Sequence, residues 1–233
     1  GSDTTFVDVS AETTQANRAW TVVAWVRVDS LSAGRIQNII GLDANISSSY
    51  LSIAQTAKKL MIYDIGAGAW RMNNTKLNEN TWYRVAFVFD GDTTITFYLN
   101  GVADGTGEID NTGAYADLAI REIGSRKGSA TSTGNKRLLG GAIADLQLWQ
   151  GAFTADDASY DYLNPESLVL SNGGTSLTES NLKAWYPMQD GHRGQQSYIL
   201  DASNTGLGAE IVPEPHFANI DDWTIQNADS NNT

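Results

Sequence analysis

The residues TWYRVAFVFDGDTTITFYLNG, 81 to 101, restrict the fold more than any other stretch. Tyr83 to Phe89 is apolar at nearly every position, so a strand there needs cover on both faces or a sheet that curves around its side chains. After an Asp90-Gly91 turn the pattern changes to strict alternation. Ile95, Phe97 and Leu99 take one face, and Thr94, Thr96, Tyr98 and Asn100 take the other, down to Asn100-Gly101. The two segments therefore read as an interior strand paired with one that carries a polar, aromatic-bearing outer row.

Period-two segments recur along most of the chain. WTVVAWVRV (20 to 28) sets Val22, Ala24, Val26 and Val28 against Thr21, Val23, Trp25 and Arg27. Further strands are predicted at 35–42, 49–55, 59–65, 69–74, 119–125 and 141–150, with Gly-, Asn- and Asp-rich turns between them. Between Thr4 and Gln150 no apolar pattern of helical period lasts the roughly ten residues a helix needs. One short helix is predicted at 154–163: Thr154 can cap it, Asp156 and Asp157 suit its positive start, and Pro165 stops it. The fold class is all-β, a two-sheet antiparallel sandwich with a single short helix.

A chain of 233 residues suits one large sandwich or two small domains. It has no cysteine, so neither disulfides nor thiolate metal sites contribute to its stability. With a net charge of −12 and 15 basic residues spread along the chain, it repels nucleic acid and anionic membrane, and neither is an expected partner. No apolar run reaches the ~18 residues of a membrane span. Gly1-Ser2 reads as a cloning remnant, which places the natural N-terminus upstream.

Three segments carry a family resemblance: AWTVVAWVRVDSLSAGRIQNIIG, NTWYRVAFVFDGDTTITFYLNGVADG and IGSRKGSATSTGNKRLLGGAIADLQLWQGAFTADDASY. In this order they resemble the laminin G-like and pentraxin-like branch of the concanavalin A-like lectin/glucanase jelly rolls, over about residues 4 to 165. The resemblance rests on Trp82-Tyr83 opening the central strand, on the hairpin Tyr98-Leu99-Asn100-Gly101, and on a final strand running into the helix. It implies one jelly-roll domain over 1–212, in which 166–180 is a connector and 181–212 packs back on the sandwich. The end, 213–233, resembles the opening of a further β-sandwich module. The segment from 181 onward is also similar to one seen in phage and environmental viral proteins.

Catalysis on this fold needs specific groups. Its glucanases carry alternate carboxylates on one strand, and the nearest match, Glu108-Ile109-Asp110, is followed on that face by Thr112 and flanked by glycines, so it reads as a solvated loop. His192 and His216 read as exposed loop residues, and no catalytic residue is assigned. Pentraxin-like relatives hold calcium with acidic loops, but here Arg126 and Lys127 stand in the corresponding position. A structural calcium elsewhere is the one cofactor considered, with Asp43, Asn45 and Asp145 as oxygen donors; ordinary turn residues are the competing reading.

A sugar site needs exposed rings for C–H stacking beside amides and charges for the hydroxyls. Seven Trp and nine Tyr supply rings, though Trp20, Trp25, Trp82 and Trp185 sit in apolar strands and read as core. The candidate surface is Trp70, Arg71 and Asn73, with Tyr63, Asp64, Tyr50, Tyr98, Gln147 and Trp149, and Arg126 for an anionic sugar. Their facing rests on alternation, which a one-residue register slip would invert. The chain thus reads as a non-catalytic carbohydrate-binding or adhesion module. Its partner would be a polysaccharide or cell-surface glycan, met outside the cell or on a virion, with homo-oligomers possible. A structural assembly protein and a polysaccharide-degrading enzyme are the alternatives. Asn45, Asn73 and Asn231 begin glycosylation sequons.

Overall fold

The alternating segments are strands in the computed structural model, which describes residues 7–12, 19–31, 36–42, 50–54, 56–64, 67–109, 118–125, 137–164, 168–169 and 177–188. In chain order they are β1 (Val7–Glu12), β2 (Trp20–Val28), β3 (Ile36–Leu42), β4 (Tyr50–Ala54), β5 (Lys59–Asp64), β6 (Ala69–Met72) and β7 (Trp82–Phe89). After these come β8 (Thr94–Leu99), β9 (Val102–Glu108), β10 (Ala119–Ile123), β11 (Gly141–Trp149), α1 (Ala155–Leu163) and β12 (Leu182–Tyr186). Two antiparallel sheets result, one ordered β1-β10-β3-β4-β5-β6 and the other β12-β11-β2-β7-β8-β9. This is the two-sheet jelly-roll sandwich read from the sequence.

The main core lies between the sheets. Val22, Ala24, Val26, Val85, Phe87, Phe89, Ile95 and Phe97 of the second sheet join Ile39, Ile40, Leu51, Ile53, Leu60, Ile62 and Ile120 of the first. Each such Val, Leu, Ile or Phe side chain stabilises the fold by about 1.5–3 kcal/mol. The need of β7 for cover on both faces is met literally. Its alternate residues Ala86 and Val88 enter a second apolar cluster with Val23, Tyr98, Trp149, Phe153, Ala158, Val169, Leu177 and Leu182, on the outward side of the second sheet.

Helix α1 supplies part of that cover. Thr154 caps it by accepting from the Asp157 amide, while Asp157 accepts from the Thr154 amide at 2.9 Å. The β8–β9 hairpin turns through Asn100 (φ 51°) and Gly101 (φ 78°), both left-handed. A Cβ on Gly101 would lie 2.9 Å from Tyr162 Cβ, so the hairpin tip and α1 are in direct contact.

One expectation is corrected here. Glu108, read as part of a loop, is the last residue of β9 and pairs with Thr94, because the hairpin returns along β8 despite the glycine-rich, weakly apolar sequence of β9. Residues 189–233, with His192 and His216, lie outside the described residues. Among the described residues no helix is long and apolar enough to cross a membrane.

Candidate functional site

The two outward faces of the sandwich differ in what they leave open. On the second sheet, Tyr98, Gln147 and Trp149 point away from the main core, as alternation predicts, but they do not form a ligand surface. Trp149 is fully buried and packs on Phe153 with ring centroids 5.9 Å apart, and its Nε1 donates to Gln147 Oε1 at 3.0 Å. Gln147 is itself buried and Tyr98 nearly so. Burial, with the charge of Asp157 adding to it, raises the Tyr98 hydroxyl above its ordinary value. The physical reason for the correction is that α1, with Phe153, Val169, Leu177 and Leu182, covers this face.

Beside that cluster is a buried charge network. Arg84 of β7 donates from Nε and Nη2 to the two oxygens of Asp161 on α1, both at 2.7 Å, while its Nη1 donates to the Asp145 carbonyl and forms an ion pair with Asp145 Oδ2, both at 2.9 Å. Its guanidinium lies over Trp25, 5.8 Å from the ring centroid. Burial pulls Arg84 down, but the hydrogen bonds and charge of Asp161, then of Asp145, outweigh it and hold its value above the ordinary one. Burial also pushes the Asp161 carboxyl up, with Arg84 opposing the rise. Asp145 accepts in addition from Trp185 Nε1 at 2.6 Å and from Gln147 Nε2 at 3.1 Å. Its carboxylate is therefore saturated with protein donors, and the expectation that it ligates calcium is corrected: a cation there would have to displace Arg84.

The outward face of the first sheet is different. Leu60 and Ile62 of β5 enter the core, so Met61 and Tyr63 face away from it. Pairing of β5 with β6 sets Tyr63 opposite Trp70 and Met61 opposite Met72. The Tyr63 and Trp70 rings lie 4.7 Å apart at 58°, and both are half-buried, so ring surface reaches solvent. Arg71 pairs with Ile62 and so turns to the opposite side of β6, against Gly107 of β9; it is 27% exposed and donates to Asp64 Oδ2 at 2.7 Å.

Two further expected ligand residues are structural. Asp64 is fully buried; besides Arg71 it accepts from the Ala67 amide at 3.3 Å, across the turn between β5 and β6. Asn73 is also buried: its Oδ1 accepts from the Leu60 amide at 2.9 Å and its Nδ2 donates to Thr75 O and to Asp104 of β9. Both residues are used up in bracing the edge that presents Trp70, which corrects their reading as ligand contacts. Asn73 is also the sequon residue, and its engaged amide is incompatible with glycosylation in the folded state.

The same face carries polar residues that the sequence reading passed over. Ser52 of β4 donates to Asn38 Oδ1 of β3 at 2.7 Å, and Glu122 lies on β10, the next strand. Asn38 Nδ2 and Glu122 Oε2 are buried without a hydrogen-bond partner. The available signal was a polar residue interrupting the otherwise apolar runs around 36–42 and 118–123. Tyr50 opens β4 opposite Gly41. Its side chain, with Arg126, Asp43 and Asn45, lies outside the described residues. Trp82, read as core, is 41% exposed, with the Arg27 guanidinium 5.5 Å from its ring. It opens β7 on the outward side of the second sheet.

A family model described as the concanavalin A-like lectin/glucanases superfamily matches residues 1–159. Among solved structures, a Bacteroides ovatus ATCC 8483 protein described as carbohydrate-binding superposes with a TM-score of 0.60 at 16% identity, covering 86% of this chain and 54% of its own. The chain thus spans about half the length of that protein. The heptameric SAP-like pentraxin of Limulus polyphemus gives a TM-score of 0.51 at 19% identity, covering 67% of this chain and 73% of the pentraxin. At these identities the likeness is one of fold. No curated protein matches the sequence.

Proposed function

We propose that this chain, which belongs to the concanavalin A-like lectin/glucanases superfamily, is a non-catalytic module that binds carbohydrate on the outward face of its first sheet. The observation that carries the reading is the Tyr63–Trp70 ring pair, half-open on the outward side of the first sheet, where among the described candidates ring surface keeps access to solvent. Two tilted rings offer the apolar platform on which a sugar's C–H face rests. The carbohydrate-binding description of the Bacteroides protein, which shares this fold, supports the reading. So does the fate of the paired carboxylates: Asp145 and Asp161 clasp Arg84 and are not poised as acid and base.

A glycan array probed with the full chain, with and without calcium, and calorimetry on the hits test the proposal. Trp70→Ala is expected to weaken binding at least tenfold while the protein stays folded. A folded wild-type protein that retains no glycan overturns it. The calcium arm also tests Asp43 and Asn45 as donors. A location outside the cell, on a phage or viral appendage, is the finer form of this proposal. It rests on the resemblance of the segment after residue 180, and retention of glycans from bacterial surfaces tests it.

A second reading, assembly through packed apolar surface, is favoured by the exposure of Trp82, Val102 and Leu163. Mass photometry separates the two, since a stable oligomer dispersed by Trp82→Ser supports assembly.

A further inference from the structure

Trp82, at the start of β7, is the most exposed ring among the described residues, 41% open to solvent. The β2–β7 register sets it opposite Arg27, while the next pair, Val26 and Tyr83, turns towards the main core. Arg27 and Trp82 therefore share the outward face of the second sheet, opposite to the face that carries Tyr63 and Trp70. The cover over Trp149 lies at the far end of these strands, where Thr21 pairs with Val88 and Trp149, and it leaves Trp82 open.

Polar groups lie beside the ring. The Arg27 guanidinium is 5.5 Å from the Trp82 ring centroid, and its Nε donates to Asp29 Oδ1 at 3.0 Å. The two side chains are 37% and 52% exposed. Among the described residues no hydrogen bond takes the Arg27 Nη groups or Asp29 Oδ2. A pair of donors and an acceptor are thus left at the rim of an open indole. The backbone beneath them is tied: the Asp29 amide donates to Gly140 O at 2.8 Å, the Asn80 amide to Val28 O at 2.7 Å and the Leu31 amide to Glu79 Oε1 at 2.7 Å. Groups placed before a ligand arrives cost less ordering when it binds.

A protein partner needs a broad apolar patch, whereas Trp82 stands among exposed polar residues: Asp29, Ser30, Asn78, Glu79, Asn80 and Thr81. A single ring with a polar rim matches a sugar, whose C–H face stacks while its hydroxyls find donors and acceptors. Asp29 neutralises Arg27 and the chain carries a net charge of −12, so an anionic sugar is disfavoured. Adjacent hydroxyls of a neutral sugar suit the pair, accepting from the Nη groups and donating to Asp29 Oδ2. We infer that Trp82, Arg27 and Asp29 form a second carbohydrate site, for a neutral sugar, on the face opposite Tyr63 and Trp70, so that a single chain bridges two glycan strands. The second site stands without the reading of the first; only the bridging rests on both.

The full chain is titrated by calorimetry with neutral glucan, mannan and galactan oligosaccharides, beside sialyllactose and oligouronates. Two sites per chain are expected for a neutral ligand. Trp82→Ala and Trp70→Ala are each expected to weaken one of them about tenfold or more. Arg27→Gln and Asp29→Asn should weaken only the site that Trp70→Ala retains, with the melting temperature unchanged. The wild type, a monomer by mass photometry, should cloud a solution of the matching polysaccharide, and neither tryptophan variant should. Binding by Trp82→Ala with wild-type stoichiometry and affinity overturns the second site and leaves the first untouched, and a preference of this site for the acidic sugars overturns its specificity. Binding lost in Trp82→Ala but intact in Trp70→Ala supports the second site while removing the first, and with it the bridging. A stable oligomer dispersed by Trp82→Ser gives the ring to a second copy and overturns the site; a folded wild type that binds no glycan overturns both sites.

Discussion

Replacing Arg84 by methionine removes the one cation between two carboxylates while keeping most of the stem's apolar volume. Arg84 is 2% exposed, Asp161 2% and Asp145 13%, so the carboxylates it leaves behind cannot recover water without opening the contact between α1 and the second sheet. Breaking a buried ion pair in this way costs about 3–5 kcal/mol. At about 2–4 °C per kcal/mol for a chain of this size, the melting temperature should fall by roughly 6–20 °C.

The loss should depend on pH, and the sign follows from Asp161. Burial already pushes its carboxyl up and Arg84 opposes that rise, so without Arg84 the folded value climbs further above the unfolded one. A group raised in the folded state stabilises at low pH and loses that contribution as pH increases through the folded value. Arg84→Met should therefore be least damaging near pH 4–5 and most damaging near pH 8, with Arg84→Met/Asp161→Leu recovering much of the difference. Urea melts of the three proteins across that range measure it. A loss under about 1 kcal/mol, or one that does not change with pH, would refute the account of Arg84 as the tie between α1 and the sandwich.

Asn73→Ala should cost about 1–3 kcal/mol in a urea melt, by stranding the Leu60 amide and a bond to Asp104; a glycan-binding defect without a stability loss would contradict its bracing role. Tyr98 holds its proton more tightly folded than unfolded. An unfolded tyrosine ionises near 10, so stability should decline above about that pH, and Tyr98→Phe should flatten the decline in thermal melts. A methyl on Gly141 would lie 1.9 Å from Arg27 O. Gly141→Ala should therefore part the start of β11 from β2 and lower the melting temperature, whereas an unchanged melt would show that the strand end yields freely.

Most of the architecture is legible in alternation, because β2, β5, β7 and β8 each announce a buried face through their own residues. Strand β9 is not, since Gly105 and Gly107 remove the very pattern that signals a strand; it pairs because the Asn100-Gly101 turn delivers it. The site divides the same way. Tyr63 and Trp70 face outward as their parity says. Tyr98, Gln147 and Trp149 also leave the main core as parity says, yet are covered by α1, Val169, Leu177 and Leu182. Period tells a side chain's direction, and only tertiary structure tells what lies in that direction. Asp64 and Asn73 read as polar neighbours of Tyr63 and Trp70, and the backbone amides they satisfy are invisible in a residue list.

Strand β9, VADGTGE, is also where the second sheet ends. A rim that combines two glycines with Asp104 and Glu108 is a poor template for a second copy: it adds little apolar contact, and matching acids would confront each other across the join. Many copies could then stand side by side on a crowded surface without fusing into a continuous ribbon.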